Sequence, residues 1–379
     1  MKIYLDYAAT TPVAPEVREE MKSYFSQKYG NPSSLHTPGQ EAKEATEKAR
    51  AQVAKLINAE PEEIIFTSCA TESNNTVLKG VLKPGDHLII SQIEHPCIIE
   101  ASKYLEKQGV EITRLPVNEE GFVNTKDVEN AIKSNTKLVS VMHGNNIIGT
   151  VQPIAEIGRI CKEREVLYHT DAVQTLQYTP IDVHKMGIDF LTASAHKIYG
   201  PKGVGCLYIR KGIRVEPLVH GGGQESGFRS GTENVTGIVG FGKAAELCLK
   251  KLKTEPKRIS KLRDYLIEGI LKNVPDSSLT GPKERLPHNA HFTFKFIEGE
   301  ALLLRLNEKG IYASTGSACS SKSLEPSPVL LAIGLKHMDA HGSLRMTLGR
   351  DTTKEQIDYV LKELPNCVED LRKISPFRR

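Results

Sequence analysis

A chain of 379 residues outgrows a single core, which rarely exceeds ~250–300 residues, and has room for two. Its 39% hydrophobic and 25% charged residues are ordinary for a globular protein and exclude a disordered or collagen-like chain. A formal net charge of +4 is too slight a bias to suggest a nucleic-acid binder.

No uncharged apolar run approaches the ~20 residues that a membrane span needs. Asp6 falls where a signal peptide would be apolar, so a cytoplasmic location is expected. The 7 cysteines are odd in number and contain no C-x-x-C pair, so neither a disulfide framework nor a bound metal is expected. The basic stretch from Lys250 to Arg263 reads as the solvated face of a helix pair rather than an RNA patch.

From about residue 60, short apolar runs alternate with amphipathic stretches. Strands are predicted at Glu63–Ser68, His87–Ser91, Lys137–Met142, Val166–Thr170, Asp189–Ala193 and Gly205–Arg210. Helices are predicted between several of them, at Asn75–Gly80, Cys97–Gln108 and Ile154–Glu165. Strands separated by helices imply an α/β fold, a mostly parallel sheet covered on both faces. After the basic stretch the pattern changes. A long helix at Ile259–Asn273 precedes strands at His291–Phe296 and Gly342–Leu348, with helices at Gly299–Lys309 and Thr353–Leu371. This grouping predicts a smaller α+β domain, against which the first dozen residues pack back. The expected division is a large domain at 13–255 and a small one formed by 1–12 and 256–379.

Ligands of open α/β sheets bind at the carboxyl ends of the strands, and here those ends are polar. In chain order they carry Cys69-Ala-Thr-Glu72, Glu94-His95, Gly144-Asn-Asn146, Asp171-Ala-Val-Gln174 and Ser194-Ala-His-Lys197. Singly, each has a structural explanation: a capping histidine, an aspartate N-cap, a surface lysine in a Gly/Pro turn. Together they meet four requirements of an aldehyde cofactor. Lys197 offers an amine for a Schiff base, and Asp171 a carboxylate for a pyridine nitrogen. His95 offers a flat ring. Ala70 and Thr71 stand where the backbone N–H groups of a helix N-terminus meet a phosphate, with Ser194 and His196 adding side-chain donors.

Along essentially its whole length the sequence resembles the cysteine desulfurases of the NifS/IscS type, which are fold-type I pyridoxal-phosphate enzymes. The motifs that carry the resemblance begin with Tyr4-Leu-Asp-Tyr-Ala-Ala-Thr-Thr-Pro12, Gly30-Asn-Pro-Ser-Ser34 and Thr67-Ser-Cys-Ala-Thr-Glu-Ser73. They continue with the strand-end series, His220-Gly-Gly-Gly-Gln224, Arg229-Ser-Gly-Thr232 and Gly316-Ser-Ala-Cys319. The resemblance implies a large domain with a mostly parallel seven-stranded sheet sandwiched by helices, and pyridoxal 5'-phosphate as cofactor. It implies Lys197 as the Schiff-base lysine, Asp171 on the pyridine nitrogen and His95 stacked on the ring. Asn146 and Gln174 would contact the ring hydroxyl. Ala70, Thr71, Ser194 and His196 would hold the phosphate, joined by Thr232 from the second subunit of a homodimer. Asn31, Asn146 and Arg345 would bind the substrate.

Cys319 stands among Ser, Thr, Gly and Lys, in a loop expected over about 314–327 to be exposed and mobile. A thiol that can visit the cofactor suits attack on a substrate sulfur. Arg345 alternates with Leu344 and Met346 in a predicted strand, as a surface ion-pair partner or as a clamp on an amino-acid carboxylate. One departure from the family is Ile147, where an acid is common; another is the early end of the chain after Ser375-Pro-Phe, which leaves the sulfur acceptor open.

The implied activity is that of a cysteine desulfurase. It releases L-alanine from L-cysteine and leaves a persulfide on Cys319, whose sulfur passes to an iron–sulfur scaffold or a tRNA-thiolation protein. The alternatives are a selenocysteine lyase or an aminotransferase of the same fold, and a catalytically silent sulfur-transfer scaffold.

Overall fold

The computed structural model describes residues 1–315 and 326–376. The chain opens with β1 (Ile3–Tyr4) and passes through α1 (Pro15–Lys22) and α2 (Thr37–Ile57) to β2 (Ile64–Thr67). Helix and strand then alternate: α3 (Ala70–Val81), β3 (His87–Ser91), α4 (Pro96–Glu106), β4 (Glu111–Leu115), α5 (Thr125–Ala131) and β5 (Thr136–Ser140). Next come α6 (Ile154–Glu163), β6 (Leu167–Asp171), β7 (Phe190–Ser194), β8 (Gly205–Ile209), α7 (Val235–Lys251) and α8 (Glu255–Asn273). The last part holds β9 (Ser277–Leu279), β10 (Asn289–Phe294), α9 (Gly299–Glu308) and β11 (Ile311–Tyr312). It ends with α10 (Pro328–Ala332), α11 (His337–His341), β12 (Ser343–Thr347) and α12 (Lys354–Ile374).

Seven strands form one sheet in the order β2-β8-β7-β6-β5-β3-β4. β8 runs against both of its neighbours and all other pairs are parallel, as expected. The strands are apolar on both faces because both faces are covered. In β3, Ile89 points into a core that also holds Val53 of α2, Ile157 of α6 and Phe241 of α7. Leu88 and Ile90 point the other way, into a core with Val77 of α3 and Ile98 of α4. Burying such a side chain contributes roughly 1.5–3 kcal/mol.

A second sheet, β12-β10-β9, is antiparallel. Phe292, Phe294, Leu344 and Met346 pack from it against Leu266 of α8, Leu302 of α9 and Val360 of α12. Ile3 and Leu5 join this core, and β1 pairs with β11. β10 stops at Phe294, two residues short of its predicted end, and Phe296 takes the left-handed region with φ 69°.

The opposite face of the small sheet is polar yet buried. Asn289, His291, Thr293, Ser343, Arg345 and Thr347 all lie on it. It packs against the first body, and Asn289 Nδ2 donates to the Ile147 carbonyl at 3.0 Å. Arg345 is 3% exposed, which rules out the surface ion pair that its sequence pattern allowed. Strands β2, β3, β5, β6 and β7 run in one direction, so their carboxyl ends line one edge of the large sheet beside this polar face. No helix among the described residues is long and apolar enough to cross a membrane.

Candidate active site

A cavity of about 250 Å³ opens at that edge. Its wall holds Ala70, Thr71, His95, Asn146, Asp171 and Gln174, with His196, Lys197 and Arg345. Nine residues expected from the sequence are thus brought together by five strand ends and β12.

Lys197 ends a short turn after β7 (Ala195–Lys197). Its Nζ donates to the Ala9 carbonyl at 2.7 Å and to the Ala8 carbonyl, so the N-terminal segment forms part of the wall. Gln174 Nε2 donates to the same Ala8 carbonyl at 3.0 Å. His196 Nδ1 lies 3.1 Å from Thr10 Oγ1, and burial with the nearby Lys197 cation pushes its imidazole down to about 4.

Asp171 closes β6 and is held from two sides. The Val173 N–H donates to Oδ1 at 3.0 Å and Asn74 Nδ2 to Oδ2 at 2.8 Å. Asn74 is fully buried on α3, four residues after Ala70 and so on the same helix face. His95 caps α4, accepting the Cys97 N–H on Nδ1 at 3.3 Å; burial holds its imidazole below the usual range. Beside it, Glu94 is sealed. Ser91 Oγ and the Met142 N–H donate to its Oε1, at 2.5 and 2.9 Å, while Oε2 has no partner among the described residues. Burial raises this carboxyl to about 8.

Arg345 reaches in from β12. Its Nη2 donates to Asp6 Oδ1 at 2.7 Å and its Nη1 to the Asn146 carbonyl at 3.0 Å. Asn145 shapes that loop, its Oδ1 accepting from the N–H groups of Ile147 and Ile148 at 2.9 and 3.0 Å. Ile147, the departure noted in the sequence, packs in an apolar cluster with Ile93, Leu330 and Ile333. An acid there would face hydrocarbon.

The remaining site residues lie elsewhere. Ser194 is fully buried at the end of β7, with an Oγ that has no partner among the described residues. Thr232 is exposed and lines a separate cleft with Gly203, Arg229 and Asn234. Asn31 is exposed and does not line the cavity; its Oδ1 accepts from the Ser33 N–H at 2.9 Å. Cys319 falls outside the described residues.

The donor set fits pyridoxal phosphate. α3 begins at Ala70 without a side-chain cap, so its first N–H groups, at the positive end of the helix, suit an anion such as a phosphate. The unsatisfied Ser194 hydroxyl and the His196 imidazole stand at the end of the neighbouring β7. Lysine, carboxylate and imidazole complete the set around one cavity. Sequence reasoning missed Asn74, Cys97 and the carbonyls of Ala8 and Ala9. Only Asn74 carried a signal, its i, i+4 spacing from Ala70.

Residues 3–360 match the aminotransferase class-V family model. The chain is 51% identical over 383 residues to cysteine desulfurase IscS of Dictyoglomus turgidum, covering 100% of this chain and 97% of the relative. It is 51% identical to cysteine desulfurase IscS of Methanosarcina thermophila, covering 99% and 94%. Among solved structures, a NifS-like protein superposes with a TM-score of 0.92 at 40% identity, over 98% of this chain and 100% of the other. A structure described as SspA in complex with cysteine gives 0.83 at 38% identity, over 92% and 99%. With its mostly parallel sheet, its strand-end lysine and aspartate, and a family match over nearly its whole length, the chain belongs to the aminotransferase class-V family.

Proposed function

We propose that this protein is a pyridoxal-phosphate-dependent cysteine desulfurase, converting L-cysteine to L-alanine and keeping the sulfur as a persulfide on Cys319. The observation that carries the reading is the convergence of Lys197, Asp171, His95, Arg345 and the uncapped start of α3 on one cavity. Lys197 would hold the cofactor's aldehyde carbon, Asp171 its pyridine nitrogen and His95 its ring face. Asn146 and Gln174 would meet the ring hydroxyl. Ala70, Thr71, Ser194 and His196 would hold the phosphate, with Thr232 supplied by a second copy of the chain. When bound, the cofactor supplies an electron sink for the pair left on the substrate's α-carbon.

The protein's own groups do the rest. Arg345, with Asn146 and Asn31, binds the substrate carboxylate and sets its direction. Lys197 Nζ, once displaced from the cofactor, takes the α-proton and later returns one. The Cys319 thiolate attacks the substrate sulfur: an S–S bond forms as the C–S bond breaks, and the carbon gains a proton to become the methyl group of alanine. One thiol proton and one sulfur change places, so no external reductant or oxidant is needed.

Separate hydrophobic cores, one on each face of the large sheet and one on the small sheet that Ile3 and Leu5 join, support a large domain at 13–255 and a small one from 1–12 and 256–379. The reading includes a homodimer, a cytoplasmic location and an iron–sulfur scaffold or other sulfur-acceptor protein as partner. The test is incubation with sulfur-labelled L-cysteine and peptide mapping. Alanine with label on Cys319 supports the reading; transamination to a 2-oxo acid with no bound sulfur overturns it.

A further inference from the structure

A directed set of hydrogen bonds joins the two groups expected to flank the cofactor ring, Asp171 and His95. The Cys97 backbone N–H donates to His95 Nδ1 at 3.3 Å. A backbone N–H can only donate, so Nδ1 carries no proton. Cys97 Sγ lies 3.0 Å from the same nitrogen, and its S–H must therefore be the donor. Sγ in turn accepts from Asn74 Nδ2 at 3.1 Å. The same Nδ2 donates to Asp171 Oδ2 at 2.8 Å, which fixes the orientation of the amide: its oxygen could not face a carboxylate. The two Nδ2 bonds use both amide hydrogens, while Asn74 Oδ1 is buried and has no partner among the described residues.

We infer that Asn74 and Cys97 are positioning residues that fix His95 as the neutral tautomer protonated on Nε2. His95 then presents an N–H to the cavity and acts as a hydrogen-bond donor, while proton acceptance falls to Lys197. Nε2 has no partner among the described residues, whereas both hydrogen-bond donors to the ring are on Nδ1. The surroundings keep this arrangement neutral. Asp171 from β6 and Lys197 after β7 face the imidazole with opposite charges; burial, aided by the Lys197 cation, outweighs the Asp171 carboxylate. Glu94 precedes it in the chain, and Arg345 closes the cavity from β12. Burial pushes the Cys97 thiol up to about 12, so it stays a proton donor. Accepting from Asn74 polarises the S–H and strengthens its own donation.

The use of His95 as a donor rests on the cofactor reading above; the tautomer does not. The test is ring-nitrogen NMR of the purified protein labelled with 15N-histidine, with His95 assigned by its loss in His95→Asn. The expected pattern is a proton on Nε2 and none on Nδ1. Cys97→Ala removes one donor to Nδ1 and should raise the His95 titration midpoint by about one unit. Cys97→Ser, whose hydroxyl can donate in the same direction, should restore it. A proton on Nδ1, or an unchanged midpoint in Cys97→Ala, overturns the inference. Should Cys97→Ala fail to fold, the wild-type tautomer and Cys97→Ser still decide. Because the measurement needs no turnover, its failure leaves the desulfurase reading untouched, and a failed alanine assay leaves the tautomer standing.

Discussion

Ser314 and Arg345 hold each other by their backbones: the Arg345 N–H donates to the Ser314 carbonyl at 2.6 Å, and the Ser314 N–H returns a bond at 3.1 Å. Ser343 Oγ adds a bond to the Thr315 carbonyl at 3.2 Å. One short strand therefore carries the candidate carboxylate clamp on its side chain and grips, through its main chain, the residues leading toward Cys319. Arg345→Gln keeps that backbone pairing and removes the charge. It is expected to raise KM for L-cysteine by ~10–100-fold, the worth of one or two charged hydrogen bonds, with a smaller change in kcat. An unchanged KM would take Arg345 out of substrate binding.

Lys197→Ala is expected to abolish the borohydride-reducible link to pyridoxal phosphate. It should lower turnover by ~10²–10⁴-fold, the usual contribution of a positioned proton carrier. Mass spectrometry of the reduced wild-type protein checks the first point: an adduct on any other lysine would sink the assignment.

Cys319→Ser should keep the yellow cofactor and still bind L-cysteine, because Lys197, Asp171 and Arg345 are untouched. It should form neither persulfide nor alanine at a useful rate, since a serine hydroxyl has almost no anion at neutral pH. Undiminished alanine production would contradict the sulfur-acceptor role.

Glu94 gives the fold a distinct pH dependence. Its carboxyl is raised by burial to about 8, so between the ordinary glutamate range near 4.5 and about 8 the folded state holds a proton that the unfolded state has lost. Stability from this group is complete below the lower value and is lost as pH rises through the upper one. Glu94→Gln copies the protonated form and should remove that part of the slope, leaving the variant more stable than wild type at pH 9 and similar at pH 5. Thermal melts across this range test it. Parallel slopes would mean that Glu94 is ionised in the fold.

Ile147→Asp would place a carboxylate among Ile93, Leu330 and Ile333. With no cation in that cluster, a loss of ~2–4 kcal/mol in unfolding free energy is expected. A denaturant midpoint equal to that of wild type would show that the loop can turn the acid outward.

The parts of the molecule governed by short-range pattern were legible in the sequence. His87–Ser91 reads as a strand because five buried positions follow one another, and Lys197 and Asp171 stand out because polar groups end apolar runs. β4 did not stand out. As an edge strand with half-exposed positions, Glu111-Ile-Thr-Arg-Leu115 has little hydrophobic signal. The burial of Arg345 was hidden as well, because its strand alternates like one with a wet face, and only docking against the Asn146 loop makes both faces dry. The Asn74–Asp171 and Lys197–Ala8 contacts join residues 97 and 189 positions apart, and no local period encodes them.

The N-terminal segment has a temporal consequence. Asp6 meets Arg345 across 339 positions, and the carbonyls of Ala8 and Ala9 receive the Lys197 amine. During synthesis its strand partner β11 and the Arg345 guanidinium are made long after it, Arg345 following Asp6 by 339 positions. Chains fold from the N-terminus as they are made, at ~5–20 residues per second, so this wall of the cavity waits tens of seconds for its other half. The seven strands of the large sheet are all made by Ile209, long before β12 at Ser343–Thr347. The pocket is therefore completed late in the life of each chain, when β12 brings Arg345 to Asp6 and the Asn146 loop.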